Sequence, residues 1–433
     1  MTAPLFQVSD PDALPAGLAE RLDPAPEMAP DAILTTVRDI LRRVREGGDE
    51  ALIAYTREFD WVELTPETLR APASQIRESA ARCPAELRQN LSAMIANVRR
   101  FHEPQRRDGY QLEGPAGSTL RTMIRPVRCA ALYVPGGTAA YPTTVVMNTV
   151  PAQIAGVERI VVLTPPGALQ SNPAVATALD LLGLDEVYQV GGAQAIAAAA
   201  YGTATVPKAD VIVGPGNAWV AMAKREVFGL VGIDSVAGPS EVAILADDTA
   251  PPRWVAADLI AQAEHDPLAR CLLITTSQPL AEAVRDELAS QLQTAPRRAI
   301  ADEALREHGA LIVVPDLPLM IAVANRFAAE HLQVMVAESA PLKPEALIAS
   351  AIFWGPSSPT AFGDYWAGPN HVLPTGSASR YSGPLSVSTF TKSTSVLHYT
   401  PEAAAAVAER AARIADAEAL HAHAAALRLR STD

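Results

Sequence analysis

This 433-residue chain has few cysteines and little clustered positive charge. Its three cysteines, Cys83, Cys129 and Cys271, are odd in number and widely spaced, which argues against a disulfide framework or a cysteine-based metal site. Acidic residues outnumber basic ones by 48 to 35, and no basic stripe stands out, so nucleic acid is not an expected partner. The sequence lacks an apolar run of the ~20 residues that span a bilayer. It also lacks the basic flank and apolar core of a signal peptide, so we expect no membrane association and a cytoplasmic location.

The composition is that of an ordinary globular protein, with 49% hydrophobic and 19% charged residues. At ~150 residues per domain, the length predicts two large units with appendages. Helical spacing of apolar residues predicts helices over 31–59 and 84–102, and the polar stretch 106–118 is predicted to be a connection. An Ala-rich segment from Pro401 predicts a helical tail.

Short apolar strands alternate with helical segments in the middle of the chain, at the spacing of βαβ units. The first series runs from Val127 to about Gly238 and contains CAALYV, RIVVLT, EVYQV and ADVIVG. The second series contains EVAILAD, CLLITT and ALIVVP. The pattern predicts an α/β protein with two parallel sheets.

Three glycine-rich loops follow strands, at 133–137, 191–194 and 214–217. Glycine lets backbone N–H groups approach a phosphate, so these loops are compatible with a nucleotide site, but glycine in simple turns would look the same. None has the G-x-G-x-x-G pattern, because Trp219 stands where the third glycine of the closest match belongs. Cys129 lies just before the first loop, and its thiolate is an alternative means of holding an aldehyde.

Polar residues suited to metal binding occur in two central segments. Gln262 and His265 are three residues apart in DLIAQAEHDP, a spacing that places both on one face of a helix, although a helix-end histidine that caps carbonyls is an equal alternative. Asp364 and His371 lie in a Gly/Pro-rich stretch that predicts a functional loop. An Asx-turn at Asp364 with an exposed His371 is the less favoured alternative.

Two further segments carry groups for metal binding or proton transfer. In the tail, helical geometry favours Glu418 with His421 as joint ligands, whereas Glu418 and His423 would be about 140° apart on one helix. Glu330 and His331 are predicted to end a helix before a strand, on different faces, and to serve different proton transfers. Zinc suits such N and O donors. A zinc hydrolase with Glu330 as its base remains an alternative to a dehydrogenase.

Seven strings, YVPGG, GGAQAIAA, VGPGN, AGPSEVAILAD, AQAEHD, AAEHL and GDYWAGPNHVLPT, resemble the histidinol dehydrogenase family in content and order. GPNHVLPT and AGPSEV are the most specific of them. The resemblance implies zinc-dependent oxidation of L-histidinol to L-histidine through histidinal, with two NAD reduced, in the last steps of histidine biosynthesis. A sister dehydrogenase acting on a sulfonated diol is the nearest alternative, but a carboxylate and an imidazole suit a cationic amino alcohol better.

The resemblance also implies the role of each matched residue. One zinc per subunit would be held by Gln262, His265, Asp364 and His423, so that His421 is displaced from the ligand set. Glu330 and His331 would be catalytic, and Tyr133, Gln194 and Asn217 would contact NAD. The substrate contacts would be Ser240, Gln262, His265, His331, Asp364, His371, Glu418 and His423.

The implied architecture is two incomplete Rossmann-like parallel-sheet domains with small N-terminal segments and a helical C-terminal tail. Residues 1–127 and 239–381 would form the first α/β domain with the N-terminal helices, and 128–238 the second, on the NAD side. Residues 382–433 would form a tail that is swapped into the partner subunit of a homodimer with shared active sites. Glu418 and His423 would then complete the other subunit's site.

Overall fold

The computed structural model describes residues 3–23, 31–136 and 141–431. Its largest sheet has six parallel strands in the order β1-β11-β10-β9-β12-β13, numbered along the chain. The four inner strands are short apolar runs buried on both faces, as is usual for parallel sheets covered by helices, whereas the edge strands β1 and β13 are partly exposed. The strands have the following bounds. They are β1 (Leu5–Gln7), β9 (Glu241–Ala246), β10 (Arg270–Thr275), β11 (Ala310–Val313), β12 (His331–Met335) and β13 (Ala351–Trp354).

The second sheet has five parallel strands in the order β6-β5-β4-β7-β8. They are β4 (Cys129–Tyr133), β5 (Arg159–Thr164), β6 (Val187–Gln189), β7 (Val211–Val213) and β8 (Gly232–Ile233). The chain runs outward from β4 through β5 to β6, then returns to place β7 on the other side of β4. This reversal opens a crevice at the carboxyl ends of β4 and β7, where α/β proteins bind ligands.

A small antiparallel sheet in the order β14-β3-β2 was not predicted. Its strands are β2 (Tyr110–Glu113), β3 (Thr119–Pro126) and β14 (Thr391–His398). The stretch 106–118, predicted to be a connection, therefore contains a strand. Every residue of β2 is exposed, and so is nearly all of β14, so neither strand carries the apolar alternation by which a half-buried strand is recognised.

Helices cover both large sheets. Those near the N-terminus are α1 (Ala19–Leu22), α2 (Asp31–Asp60), α3 (Pro66–Leu69), α4 (Ala73–Ala80) and α5 (Ala85–His102). Around the second sheet lie α6 (Pro142–Ala155), α7 (Ala168–Ser171), α8 (Pro173–Leu181), α9 (Gly192–Tyr201) and α10 (Ala218–Val227). Around the first lie α11 (Pro252–Ala263), α12 (Gln278–Gln291), α13 (Arg298–Glu307) and α14 (Leu317–Phe327). The remaining helices are α15 (Thr360–Tyr365), α16 (Pro401–Ala417) and α17 (His421–Arg428).

Packing of the N-terminal helices differs from the predicted grouping. Helices α2, α4 and α5 contact α9, α10, α8 and α6, and their apolar residues share cores with the second sheet, not with the first. Apolar faces of α2 and α5 are buried there, so hydrophobic burial assigns 31–102 to the second unit. The division into 1–127 with 239–381, 128–238 and 382–433 otherwise stays a prediction. Across the described ranges, no helix is both long and apolar enough to cross a membrane.

Candidate active site

A cavity of ≈ 370 Å³ lies where the crevice of the second sheet faces the first sheet. One wall comes from the part of the chain around the second sheet, including the loop 214–217. The other wall comes from the part around the first sheet, together with the segment 364–375. Predicted site residues on this cavity are Asn217, Ser240, Gln262, His265, Glu330, His331, Asp364 and His371. Residues separated by up to 154 positions therefore meet in one place, which local sequence patterns do not reveal.

Glu330 and His331 do not lie on a helix, contrary to the sequence-based prediction. Helix α14 ends at Phe327, and Ala328 adopts a left-handed conformation with φ 48°, which turns the chain out of the helix. Glu330 then precedes β12, and His331 is its first residue. Both are buried, and Glu330 Oε2 lies 3.4 Å from His331 Nδ1. Adjacent positions thus bring the two side chains together at the start of a strand.

The hydrogen bonds of His331 define which ring nitrogen carries its proton. Nδ1 lies 2.9 Å from the carbonyl oxygen of Glu241, which can only accept, so Nδ1 donates and Nε2 is free of its proton in the neutral ring. Burial alone would lower the pKa of His331, but the neighbouring Glu330 carboxylate, with a further contribution from Asp364, raises it to about 9. Glu330 Oε2 in turn accepts the Glu241 amide N–H at 2.9 Å.

Gln262 and His265 lie at the end of α11. The helix stops at Ala263, so Gln262 is in its last turn and His265 is just beyond it, on a turn in which Asp266 Oδ1 accepts the Leu268 amide at 2.8 Å. Gln262 is buried and His265 is exposed. Among the residues that the structure describes, the His265 ring has no hydrogen-bond partner, so it does not cap the carbonyls of α11.

Asp364 belongs to the short helix α15 and not to a loop, which corrects the prediction for this residue, whereas His371 lies in a loop as predicted. The His371 side chain lies beside it, with Nδ1 3.6 Å from Asp364 Oδ1. Burial lowers the pKa of His371, so its ring is neutral near pH 7. The preceding Asn370 is buried and holds the segment, because its amide donates to the Met147 carbonyl at 2.7 Å and its Oδ1 accepts the Val372 amide at 2.9 Å.

Three of the four predicted zinc ligands, Gln262, His265 and Asp364, line the cavity. Their N and O atoms suit zinc. Within 3–23, 31–136 and 141–431, no three His, Cys, Asp or Glu side chains form a group that could hold a metal ion. The donor set of a single chain therefore fits zinc only in part: one of its three members is a glutamine, and the fourth predicted ligand, His423, is elsewhere.

The C-terminal tail holds Glu418 and His423 away from the cavity of their own chain. Both residues are exposed, and neither lines the cavity. Ala419 has φ 59°, which separates α16 from α17. The single-helix geometry used to favour Glu418 with His421, and to set Glu418 and His423 140° apart, was therefore wrong. His421 instead lies 3.5 Å from Asp416.

Of the predicted NAD contacts, only Asn217 lines the cavity, and its Oδ1 accepts the Val220 amide at the start of α10. Tyr133 and Gln194 are buried and do not line the cavity. The Tyr133 hydroxyl accepts the Gly192 amide at 3.0 Å, and burial raises the pKa of Tyr133 to about 12. Gly137, the last residue of the first glycine-rich loop, lies outside the described residues.

The glycines of the three loops are required for different reasons. A Cβ at Gly191 would lie 2.7 Å from Pro165, and one at Gly136 would lie 3.0 Å from it, so these two positions permit close loop packing. Gly214 has φ 113°, and a Cβ there would lie 2.2 Å from the Tyr133 carbonyl oxygen. Gly214 therefore joins the ends of β4 and β7 at the crevice.

Lys224 and Asp234 are cavity residues that sequence reasoning missed. They form a buried ion pair and hold both backbone groups of Gly214: Lys224 Nζ donates to its carbonyl at 3.0 Å, and Asp234 Oδ2 accepts its amide at 2.8 Å. The available signal was a lysine on the apolar face of α10. Cys129, by contrast, is buried outside the cavity, and burial raises its pKa to about 11, so it is no thiolate.

Comparison with known proteins identifies the family. The sequence model described as histidinol dehydrogenase matches residues 24–431. The chain belongs to the histidinol dehydrogenase family. Histidinol dehydrogenase of Synechococcus sp. is 49% identical over 396 residues, 91% of each chain, and that of Listeria innocua is 46% identical over 400 residues, 92% of this chain and 93% of the other.

Histidinol dehydrogenase also matches the chain in three dimensions. The crystal structure of the Elizabethkingia anophelis enzyme superimposes with a TM-score of 0.91 at 33% identity, covering 99% of this chain and 98% of the other. The resemblance stated from the motifs is thereby confirmed, as is the α/β fold with two parallel sheets and a helical tail. As a member of this family, the chain is an oxidoreductase.

Proposed function

We propose that the chain oxidises L-histidinol to L-histidine through histidinal, the last steps of histidine biosynthesis, with two NAD reduced per turnover. The observation that carries this proposal is the meeting of the Glu330–His331 pair with Gln262, His265 and Asp364 in one cavity. The pair offers two proton-transfer groups, and the other three offer donors for a cation. Membership of the histidinol dehydrogenase family supports the substrate.

Gln262, His265 and Asp364 would hold one zinc ion per subunit, with His423 of a second copy of the chain as the fourth ligand. When bound, zinc supplies a template that orients the imidazole and amine of histidinol, and a positive charge in the cavity. That charge would offset the Asp364 carboxylate, which is one of the groups that raise the pKa of His331. We therefore expect His331 to be neutral at a lower pH in the loaded enzyme.

His331 would act in the first oxidation. Its Nε2 is the free nitrogen of the neutral ring and would take the hydroxyl proton of histidinol as hydride leaves for NAD. Nδ1 keeps its proton, which it donates in the hydrogen bond to the Glu241 carbonyl. This bond holds the ring in the same orientation whether Nε2 is protonated or not. Before the next proton transfer, the ring therefore has only to release the proton from Nε2.

Glu330 would act in the second oxidation. Its carboxylate, fixed by the Glu241 amide, would take a proton from the water that attacks the aldehyde, and the resulting hydrate would give the second hydride to a second NAD. Enclosure between the two units would keep the reactive aldehyde from bulk water and other amines. Both residues line the cavity, so both side chains can act on a substrate bound there.

The charges of the cavity support a cationic substrate. A sulfonated diol would require a free Arg or Lys, and the lysine on the cavity, Lys224, is already paired with Asp234 and bonded to Gly214. A zinc hydrolase would leave the nucleotide crevice at β4 and β7 without a purpose. His371 and Glu418 would instead receive the substrate's charged and imidazole groups, alongside Ser240.

The tail supports a homodimer with shared active sites. Glu418 and His423 are exposed at the junction of α16 and α17 and lie outside their own cavity, so a second copy is the available recipient. NAD would bind in the crevice of the second sheet, near Asn217 and in front of Tyr133 and Gln194. We place the enzyme in the cytoplasm, where reduced cysteines and a soluble substrate are expected.

The decisive experiment measures NADH formed per L-histidinol consumed by the zinc-loaded protein, with sulfonated diols and other amino alcohols as alternative substrates. Two NADH per histidinol are expected for the four-electron oxidation. Turnover of a sulfonated diol without turnover of histidinol would move the assignment to the sister dehydrogenase. Hydrolysis without NAD reduction would indicate a zinc hydrolase.

A further inference from the structure

Glu241 touches both members of the Glu330–His331 pair. It is 1% exposed and begins β9, directly beside the start of β12. Its amide donates to the Glu330 carboxylate at 2.9 Å, its carbonyl accepts from His331 Nδ1 at 2.9 Å, and its own Oε2 accepts the Glu330 amide at 3.3 Å. One residue therefore sets the position of the Glu330 carboxylate, the Glu330 backbone and the His331 ring.

Arg270 holds the Glu241 carboxylate in place. The guanidinium of Arg270 lies 3.1 Å from Glu241 Oε1, and its other nitrogen donates to the Arg21 and Asp23 carbonyls. The same guanidinium lies over the Phe327 ring, 4.7 Å from its centre, at the end of the helix that leads to Glu330. Burial raises the pKa of Glu241 to about 7, and Arg270 opposes a further rise. Arg270 thus favours the charged carboxylate of Glu241, whose two oxygens accept from Arg270 and from the Glu330 amide.

A purely structural role explains this arrangement poorly. Burying an ion pair costs desolvation that hydrophobic residues of similar volume would avoid, so stability alone does not call for Glu241 and Arg270. The side chain of Glu241 accepts from Arg270 with one oxygen and from the Glu330 amide with the other, a pair of acceptors that only a carboxylate supplies. We propose that Glu241 is a positioning residue that fixes Glu330 and His331 for catalysis, with Arg270 as its support.

This inference rests on the proposed function for the reaction that it serves. The Glu241→Gln variant has the same shape but offers one acceptor and one donor group, so either Arg270 or the Glu330 amide must face an N–H₂ group. We expect kcat for histidinol to fall about 10- to 100-fold, as for other supporting residues of active sites. KM for histidinol should change by no more than about twofold, because Glu241 does not touch the substrate.

Two readouts separate positioning from general damage. The first oxidation is followed as the single-turnover NADH signal with histidinol, and the second as steady-state oxidation of added histidinal. Because Glu241 contacts both catalytic residues, both rates should fall. A fall in only one of them, or a higher KM with unchanged kcat, would overturn the proposal.

Matched variants control for charge and burial. Arg270→Lys keeps a cation beside Glu241 but loses the planar fork that also reaches the Arg21 and Asp23 carbonyls, so kcat should fall, though less than in Glu241→Gln. Asp258→Asn alters a half-buried carboxyl that accepts from Gln333, a residue of β12, at 2.9 Å, and should leave kcat unchanged. Should Glu241→Gln fail to fold, Glu241→Asp keeps the charge but is one methylene too short to reach the Glu330 amide, and the same fall in kcat is expected.

The experiment also separates failure of the proposed function from failure of the inference. A wild-type enzyme that does not oxidise histidinol refutes the function alone. The positioning role is then decided by crystal structures of wild type and Glu241→Gln. Displacement of the Glu330 carboxylate or the His331 ring in the variant supports it, and unchanged positions of both groups overturn it.

Discussion

Replacing Gly214 by alanine tests whether the junction of β4 and β7 forms the cofactor crevice. The new Cβ meets two obstacles: φ is 113°, and the Tyr133 carbonyl oxygen would be 2.2 Å away, where an ordinary contact is 3.4–4 Å. The left-handed conformation costs an alanine about 1–2 kcal/mol. Relieving the contact requires a backbone shift of roughly 1 Å in a close-packed region, at about 1–3 kcal/mol.

Gly229 is the matched control for Gly214→Ala. It has φ 97°, but a Cβ there would meet nothing within 4 Å, so Gly229→Ala bears only the conformational cost. The two variants should therefore differ by about 1–3 kcal/mol in the free energy of unfolding. The entropy of unfolding is about 2.1 cal/mol/K per residue, or roughly 0.9 kcal/mol/K for the whole chain, so this corresponds to a difference of roughly 1–3 °C in the midpoint of thermal unfolding.

Calorimetry of both variants measures this difference, and steady-state kinetics measures KM for NAD. Because Gly214 begins the loop that carries Asn217, Gly214→Ala should also raise KM for NAD, whereas Gly229→Ala should not. Equal unfolding midpoints for the two variants would refute the steric reasoning. A destabilised Gly214→Ala variant with normal KM for NAD would separate the loop from the cofactor.

Three further predictions concern the reaction. His331→Asn should slow oxidation of histidinol by about 10²–10⁴-fold, while Glu330→Gln should mainly slow oxidation of histidinal; a Glu330→Gln enzyme with full activity on histidinal contradicts the assignment. Mixing equal amounts of the nearly inactive His423→Ala and His331→Asn chains should restore about a quarter of wild-type activity, because half of the dimers then contain one intact shared site. No recovery would show that each tail serves its own chain. Only neutral His331 accepts a proton, so kcat/KM should rise as the pH approaches the pKa of His331, which we expect between 6.5 and about 9. This rise of kcat/KM with pH should be absent in His331→Asn.

Most inner parallel strands were predictable because they are buried on both faces and stand out as apolar runs, whereas the edge strands β1, β8 and β13 are less buried and were not predicted. RIVVLT coincides with β5 (Arg159–Thr164), and EVAILAD contains β9 (Glu241–Ala246). The strands of the antiparallel sheet were not predictable, since β2 and β14 bury almost nothing and are held by backbone pairing to β3. Their hydrogen bonds leave no trace in side-chain periodicity.

Two errors near the site share one cause. The helix breaks before Glu330 and after Glu418 both occur at alanines with positive φ, Ala328 and Ala419. Alanine is the strongest helix former, so the sequence predicts continuation where tertiary packing imposes a turn. A glycine at either position would have indicated the break.

Predicted site residues could be assigned from motifs, but their supporting residues could not. In the sequence, Glu241 is simply the first residue of an apolar strand, and Lys224 is one charged residue of a helix. Sequence periodicity does not show which groups a buried side chain contacts. Only the folded chain places Glu241 against Glu330 and His331, and Lys224 against Gly214.

The pairing of β14 with β3 fixes the position from which helix α16 extends the tail. All eight residues of β14 pair with β3, from Thr391 with Pro126 to His398 with Thr119. The chain is therefore held in place until shortly before α16 begins. Seventeen residues of α16 then extend about 25 Å to Glu418. Removal of one residue from α16 would rotate the following residues by about 100° around the helix axis and shorten the helix by about 1.5 Å. The number of residues in α16, more than their identity, therefore determines the positions of Glu418 and His423.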